Sequence, residues 1–301
     1  RGWSYGSTIN DPRTGEIIKG HVSLGSLRIR QDFMIAQALL NKPFAVSDDN
    51  YGPMLEMALA RIRQLSAHEV GHTLGFAHNF AASTSNRASV MDYPHPTLQL
   101  INGEVNLNNA YATGIGAWDK VTVAYSYGVA PNGDEKTYLK ALLEGAFANG
   151  LRYLTDSDAR AKGGAHGKAH LWDNGESAWE ELENLLKIRE VAINNFSEDN
   201  IRTGEAYSVL EDVFVPLYFL HRYQTEAAVK LIGGMEYDYL VKDYAGVQHN
   251  YLPKPEQKKA LHAVLKTLTS KNLSIPETQL KLFPPRAYGY SRTRESFKSD
   301  M

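Results

Sequence analysis

The stretch His68-Glu69-Val70-Gly71-His72-Thr73-Leu74-Gly75-Phe76-Ala77-His78 constrains this chain more than any other. Histidines at i and i+4 lie on one face of a helix, about 40° apart, and can grip one ion together. Glu69 projects roughly a quarter-turn away, free to act on a water held at that ion. Gly75 can take the left-handed backbone that ends a helix, so the chain turns and brings His78 back as a third ligand. Three imidazoles with one position left open form the ligand set of a catalytic zinc site, whereas structural sites usually fill all four positions with protein groups. The competing readings are an accidental pair of histidines on a surface helix and a closed structural site. Gly75 and His78, both at the spacing a three-histidine site requires, weigh against them. Zinc in such a site lowers the pKa of its water toward about 7. Glu69 is then the expected general base, returning the proton later to a departing amine. Zn2+ is the expected cofactor and amide hydrolysis the expected chemistry.

The 301 residues suffice for one large or two ordinary domains, and an apolar content of 43% can fill a core. A formal charge of −2 with 22% charged residues offers no basic field for nucleic acid or for an anionic membrane surface. No apolar run approaches the length of a membrane span. The lack of cysteine excludes disulfides, thiolate zinc and cysteine nucleophiles, and leaves the compartment open. Arg1 leads straight into Gly2-Trp3-Ser4-Tyr5-Gly6-Ser7, which has the character of the middle of a β-structure, so the chain is expected to be a piece of a longer polypeptide.

Along the chain, Trp3 to Ile9 and Glu16 to Leu24 are β-leaning runs around Asn10-Asp11-Pro12-Arg13-Thr14-Gly15, a hairpin signal. Leu27 to Leu40 has helical spacing and stops at Asn41-Lys42-Pro43. From Pro53 to Leu74 an unbroken helical pattern predicts a helix roughly 33 Å long. Its apolar face is expected at Leu55, Leu59, Ile62, Val70 and Leu74, with His68 and His72 projecting from the opposite side. Leu98 to Asn109 suggests a loop or hairpin, and Trp118 to Tyr127 a helix ended by Gly128. Beyond about residue 130 come helical patterns at Glu135 to Asn149, Ser177 to Phe196, Tyr207 to Ile232 and Glu256 to Thr269. A flexible loop is expected at Ala161 to Gly167, and a trailing tail after Phe283-Pro284-Pro285.

The motif H-E-V-G-H-T-L-G-F-A-H followed by S-V-M-D-Y resembles the metzincin clan of zinc peptidases. More closely, H-E-V-G-H-T-L-G-F-A-H-N-F, S-V-M-D-Y-P, the opening G-S-T-I-N-D-P-R-T-G-E-I-I-K-G and the later A-H-L-W-D-N-G and F-V-P-L-Y-F-L-H-R-Y-Q resemble the bacterial Met-zincin family of zinc-dependent metalloproteases. The resemblance implies that His68, His72 and His78 are the zinc ligands and Glu69 the general base. It implies that Met91, thirteen residues after His78, belongs to a tight Met-turn whose methionine forms a soft apolar floor under the ligands. Tyr93 is similar to a switch tyrosine of some metzincins, which can bind the resting zinc as a fifth ligand and then hydrogen-bond the tetrahedral oxyanion; the alternative is that Tyr93 only packs in the turn. The resemblance further implies a peptide or protein substrate and export to the periplasm, the cell surface or the medium.

His166 and His170, with Asp156, Asp158 and Asp173 nearby, suggest either a second metal site or a structured loop. The looseness of Gly163, Gly164 and Gly167 and the absence of ligand spacing favour the loop. His95, His221, His249 and His262 are expected to be core or surface histidines. The arm His21-Val22-Ser23-Leu24-Gly25 is either an edge strand above a cleft, to which an extended peptide adds by main-chain pairing, or an edge strand covered by the N-terminal part expected before Arg1 in the longer polypeptide. The expected fold is α+β: a metzincin-like catalytic part over residues 1–130, with a small sheet and a long active-site helix, then a mainly helical part over residues 131–301. The expected activity is that of a zinc metalloendopeptidase. Two other classes stay open: a peptide-binding scaffold that keeps zinc without turnover, and a zinc hydrolase acting on a non-peptide amide or ester.

Overall fold

In the computed structural model, which describes residues 2–161 and 163–290, the chain opens with the expected hairpin. Strand β1 (Tyr5–Asn10) pairs antiparallel with β2 (Ile17–Ser23). The Asp11 carboxylate accepts the Arg13 N–H at 2.8 Å and holds the turn between them. Helix α1 (Leu27–Leu39) follows, then α2 (Gly52–Thr73), the long helix expected before the histidines. Pro53 stands in the first turn of α2, where its missing N–H has no helical partner to lose. The other end stops at Gly75, which takes φ +86°.

A second hairpin, β3 (Gln99–Ile101) with β4 (Glu104–Asn106), turns at Asn102 and Gly103. Helices α3 (Ala117–Tyr127), α4 (Glu135–Ala148), α5 (Asp156–Ala159), α6 (Ala178–Asn195), α7 (Ser208–Tyr218) and α8 (Arg222–Val229) come next. The short pair β5 (Met235–Glu236) and β6 (Asn250–Tyr251) precedes α9 (Lys254–Thr267) and two four-residue helices. The architecture is α+β, with strands confined to small antiparallel pairs among the described residues. No helix among these residues is long and apolar enough to cross a membrane. The tail beyond residue 290, expected to trail off, lies outside the described residues, as does Lys162 of the expected loop.

Buried side chains join the two parts drawn at residue 130. One cluster packs Ala38 and Leu39 of α1 with Leu185 and Ile188 of α6 and Leu210, Val213, Phe214 and Leu217 of α7. Another packs Phe80 and Ala81, just past the histidines, against Leu154, Ala159, Ala169 and Leu171. The helical half is therefore built into the walls of the half that carries the zinc motif.

Two expectations are corrected. The buried face of α2 is Met54, Met57, Ala58, Arg61, Leu65 and His68, while Leu59, Val70 and Leu74 are exposed at 37%, 48% and 39%. The histidines sit on the buried side of the helix, not opposite it. The expected single helix from Tyr207 to Ile232 is two, because Pro216 lies in the last turns of α7. Proline has no N–H to donate and its ring crowds the carbonyl four residues back. Two residues on, where α7 ends, the buried Arg189 of α6 donates to the Tyr218 carbonyl at 2.8 Å, and the chain turns into α8.

The +86° backbone of Gly75 has no steric neighbour for a Cβ, so a substitution there is strained by conformation alone. Gly75→Ala is expected to lower unfolding stability by about 1–2 kcal/mol, and Gly75→Asn by less, since asparagine tolerates the left-handed region. Thermal melts of the two variants check this order.

Candidate metal centre

The three histidines converge. His68 and His72 rise from the last turns of α2, and the chain reversal at Gly75 brings His78 opposite them, with ring centroids 4.7, 5.2 and 4.8 Å apart pairwise. Each Nδ1 faces an acceptor: His68 the Val90 carbonyl at 2.7 Å, His72 the Phe76 carbonyl at 2.9 Å, and His78 the Asp156 carboxylate at 2.8 Å. An Nδ1 that donates leaves the Nε2 lone pair free, and these lone pairs point into one space. The Nε2 atoms of His68 and His72 are 3.1 Å apart, close to the about 3.4 Å that two ligands on a tetrahedral zinc would show. The Nε2 of His78 is buried with no hydrogen-bond partner.

Burial pushes the His68 imidazole down to about 3, and it lowers His78 as well, with Asp156 opposing. Neutral rings, converging lone pairs and a buried orphan nitrogen are what a cation in the middle would satisfy. Among the described residues these three form the one group able to hold a metal ion, all their ligand atoms lying within 4.8 Å of one another. The donor set of three imidazoles fits zinc.

Glu69 is 4% exposed and lies on the same cleft. Burial raises its carboxyl above the usual carboxylate range, opposed by His72 and by the Gly6 N–H of β1, which donates to it. The hairpin approaches this closely only because it lacks side chains at the contact. A Cβ on Gly6 would lie 2.1 Å from the Glu69 carbonyl oxygen, and one on Gly20 would lie 2.8 Å from Thr73 Cβ. Ser4 to Thr8 form one wall of an open cleft of about 500 Å³, and the histidine helix and Tyr93 the other. The arm His21 to Gly25, for which a place above the cleft was one of two readings, does not line it; β1 takes that place.

Beneath the histidines, Met91 packs its sulfur against Gly71, so tightly that a Cβ there would lie 2.3 Å from Sδ. The turn that carries Met91 is held from three sides. Val90 O accepts from His68 and, at 3.0 Å, from Gln64 Nε2. Asp119 of α3 accepts the Val90 N–H at 2.8 Å and the Ser89 hydroxyl at 2.6 Å. Asn79, directly after the third histidine, donates its N–H to Met91 O at 2.9 Å. Tyr93 emerges half-buried between His68 and His78, at 5.4 and 4.9 Å between ring centroids. Its ring stacks on Trp172 at 5.7 Å, and the Arg160 guanidinium lies 5.1 Å over it.

The family model for Met-zincin matches residues 50–299. This chain belongs to the Met-zincin family. The match takes in the three histidines, Met91 and Tyr93, and it begins after β1, β2 and α1, so the opening that resembles the family lies outside it. No curated protein and no solved structure matches the chain. The metzincin motif, the small sheets and the long histidine helix agree with this membership.

The histidines and aspartates considered for a second metal site separate. Asp156 goes to His78, Asp158 accepts the hydroxyls of Tyr237 and Tyr239, and His166 faces the Tyr237 main chain. His170 stands 3.5 Å from Glu226. Asp173 lies behind the Met-turn, 3.5 Å from Ser83. Four residues around the centre escaped the sequence reading: Gln64, Asp119, Arg160 and Trp172. Asp119, Arg160 and Trp172 have no spacing signal, because each reaches the centre from a different element, whereas Gln64 stands four residues before His68 on the same face of α2.

Gly71→Ala must displace the Met91 sulfur. It is expected to cost about 1–3 kcal/mol of stability and to weaken zinc binding, read by melting and by chelator competition. A second prediction concerns Asp173, 3% exposed with one carboxylate oxygen unpartnered. Burial raises it to about 6, so the folded state favours the neutral acid. Its contribution to stability is full below pH 4 and lost as pH rises through 6. The stability of Asp173→Asn relative to the parent should therefore grow from near zero at pH 4 to on the order of 2 kcal/mol at pH 7, measured by denaturant melts across that range.

Proposed function

We propose that this chain is a zinc-dependent peptidase acting inside extended polypeptides. The observation that carries the reading is the convergence of three Nε2 lone pairs beside the buried Glu69 carboxylate. His68, His72 and His78 would hold the ion through Nε2. Zinc, when bound there, acidifies water and polarises the scissile carbonyl.

The remaining work falls to side chains and main chain. Glu69 takes the proton of the attacking water and later delivers it to the departing nitrogen. Its raised proton affinity suits both halves of that exchange, since the group must accept and then release within one turnover. The Gly6 N–H holds the carboxylate in place. Tyr93 donates its phenol hydrogen to the oxyanion as the carbonyl becomes tetrahedral. Met91 packs beneath the imidazoles and excludes water from their far side.

The peptide preference rests on β1. With the Gly6 N–H turned toward Glu69, the strand's period of two turns the main-chain groups of Thr8 to the same edge. Among the described residues no further strand pairs with that edge. An extended peptide can pair there whatever its side chains, as a peptide-bond hydrolase needs.

Zinc-loaded chain incubated with a mixed peptide library, analysed by mass spectrometry, tests the reading. Internal cleavage is expected, with loss of about 10²–10⁴-fold in rate for Glu69→Gln and a smaller loss for Tyr93→Phe, zinc content unchanged in both. Zinc binding without cleavage would point to a silent scaffold. Cleavage of esters or small amides alone would point to a non-peptide hydrolase.

A further inference from the structure

His68 and His72 are oriented by main-chain carbonyls, but His78 is oriented by a side chain that lies 78 residues further along. The route that brings it there is built. Asn79 Nδ2 donates to Arg152 O at 2.8 Å, and its Oδ1 accepts the Leu154 N–H at 3.2 Å. Phe80 N–H then reaches Leu154 O at 2.8 Å, and Leu154 is fully buried against Phe80 and Ala81. The two residues after the third histidine thus fasten the strand of chain that ends in α5, and Asp156, its first residue, falls beside His78.

The same carboxylate has a second partner. One oxygen, Oδ2, takes His78 Nδ1, and the other, Oδ1, takes the Nε–H of Arg160 on the next turn. The Arg160 guanidinium lies over Tyr93 at 5.1 Å and over Phe80 at 5.5 Å. Asp156 meets the imidazole on the side away from Nε2, so it orients the ring and is not itself placed to bind the ion.

We propose that Asp156 and Arg160 are positioning residues of the metal centre: Asp156 sets the ring of the third ligand, Arg160 sets the phenol of Tyr93, and their ion pair makes the two move together. A carboxylate on the far nitrogen fixes the tautomer and raises the basicity of the ligating one. A guanidinium fixed by that carboxylate holds the phenol over the cleft between His68 and His78. Helix α5, outside the zinc motif and the Met-turn, thereby acts on both.

This rests on the zinc reading of the three histidines, and the test separates the two. Zinc affinity is measured by competition with a chromophoric chelator on the full chain, together with the visible spectrum of the cobalt(II)-loaded protein and the melting temperature of the metal-free one. Asp156→Asn is expected to weaken zinc binding about 10–100-fold and to alter the cobalt bands, while the metal-free melting temperature stays at that of the parent. Asp156→Glu, which keeps the charge, should recover part of the affinity. Arg160→Met should leave the affinity within a few-fold and lower kcat on a cleaved peptide with KM unchanged. If the parent binds no zinc, the metal reading fails and this one with it. If the parent binds zinc and Asp156→Asn binds it equally with the same cobalt spectrum, only the positioning role is overturned. A fall in the metal-free melting temperature that accounts for the lost affinity would equally overturn it, by showing a structural role.

Discussion

The hydrogen bond from His68 Nδ1 to the Val90 carbonyl, 2.7 Å long and buried, is the contact from which the rest of the centre hangs. Val90 is claimed by two helices, α2 and α3. Its carbonyl also takes Gln64 of α2, and the Val90 N–H goes to Asp119 of α3. Leaving any of these groups unpaired in a dry interior would cost about 1–3 kcal/mol, so the position of the turn is over-determined. With Val90 fixed, Met91 falls against Gly71 and Tyr93 falls between two imidazoles. Ligand tautomer, apolar floor and phenol are therefore set by one piece of backbone.

The helical half of the chain supplies the other constraints. Asn79 and Phe80 fasten the segment before α5, and Trp172 closes the far side of Tyr93. Trp172 holds φ +56°, a conformation that costs a bulky residue on the order of 1–3 kcal/mol. It is kept there by a 2.7 Å hydrogen bond from its N–H to Tyr93 O and by stacking against Tyr93 and Tyr223. Tyr93 thus has its main chain and its ring held by the same residue. The buried clusters shared across residue 130 tie this wall to the histidine helix.

Part of this was legible beforehand. The α2 helix, its end at Gly75 and the return of His78 follow from local rules of periodicity and left-handed backbone, which act over a few residues. The Met-turn was legible through the family likeness of S-V-M-D-Y, since nothing in its own composition marks a metal floor. The buried face of α2 was misread because Leu59, Val70 and Leu74 outweigh Met54, Met57 and Ala58 in apolar character. What decided the face was what packs on it, namely α1, Tyr111 and the Met-turn. Polar Arg61, Gln64 and His68 are buried there because each has a partner waiting. Pro216 was visible as a residue, but its position in an apolar run concealed that the helix would end at Tyr218, where Arg189 takes the last carbonyl.

By itself, the sequence determined the candidate site: three histidines and a glutamate whose spacing along one helix and one turn leaves little choice of geometry. Tertiary structure alone decided how they are held. Asp119, Asp156, Arg160 and the Gly6 N–H arrive from separate elements, joined by contacts between residues up to 78 positions apart. Helical spacing is a property of a few adjacent residues and can be read in order. An orienting hydrogen bond across the fold exists only once hydrophobic packing has brought its two ends together.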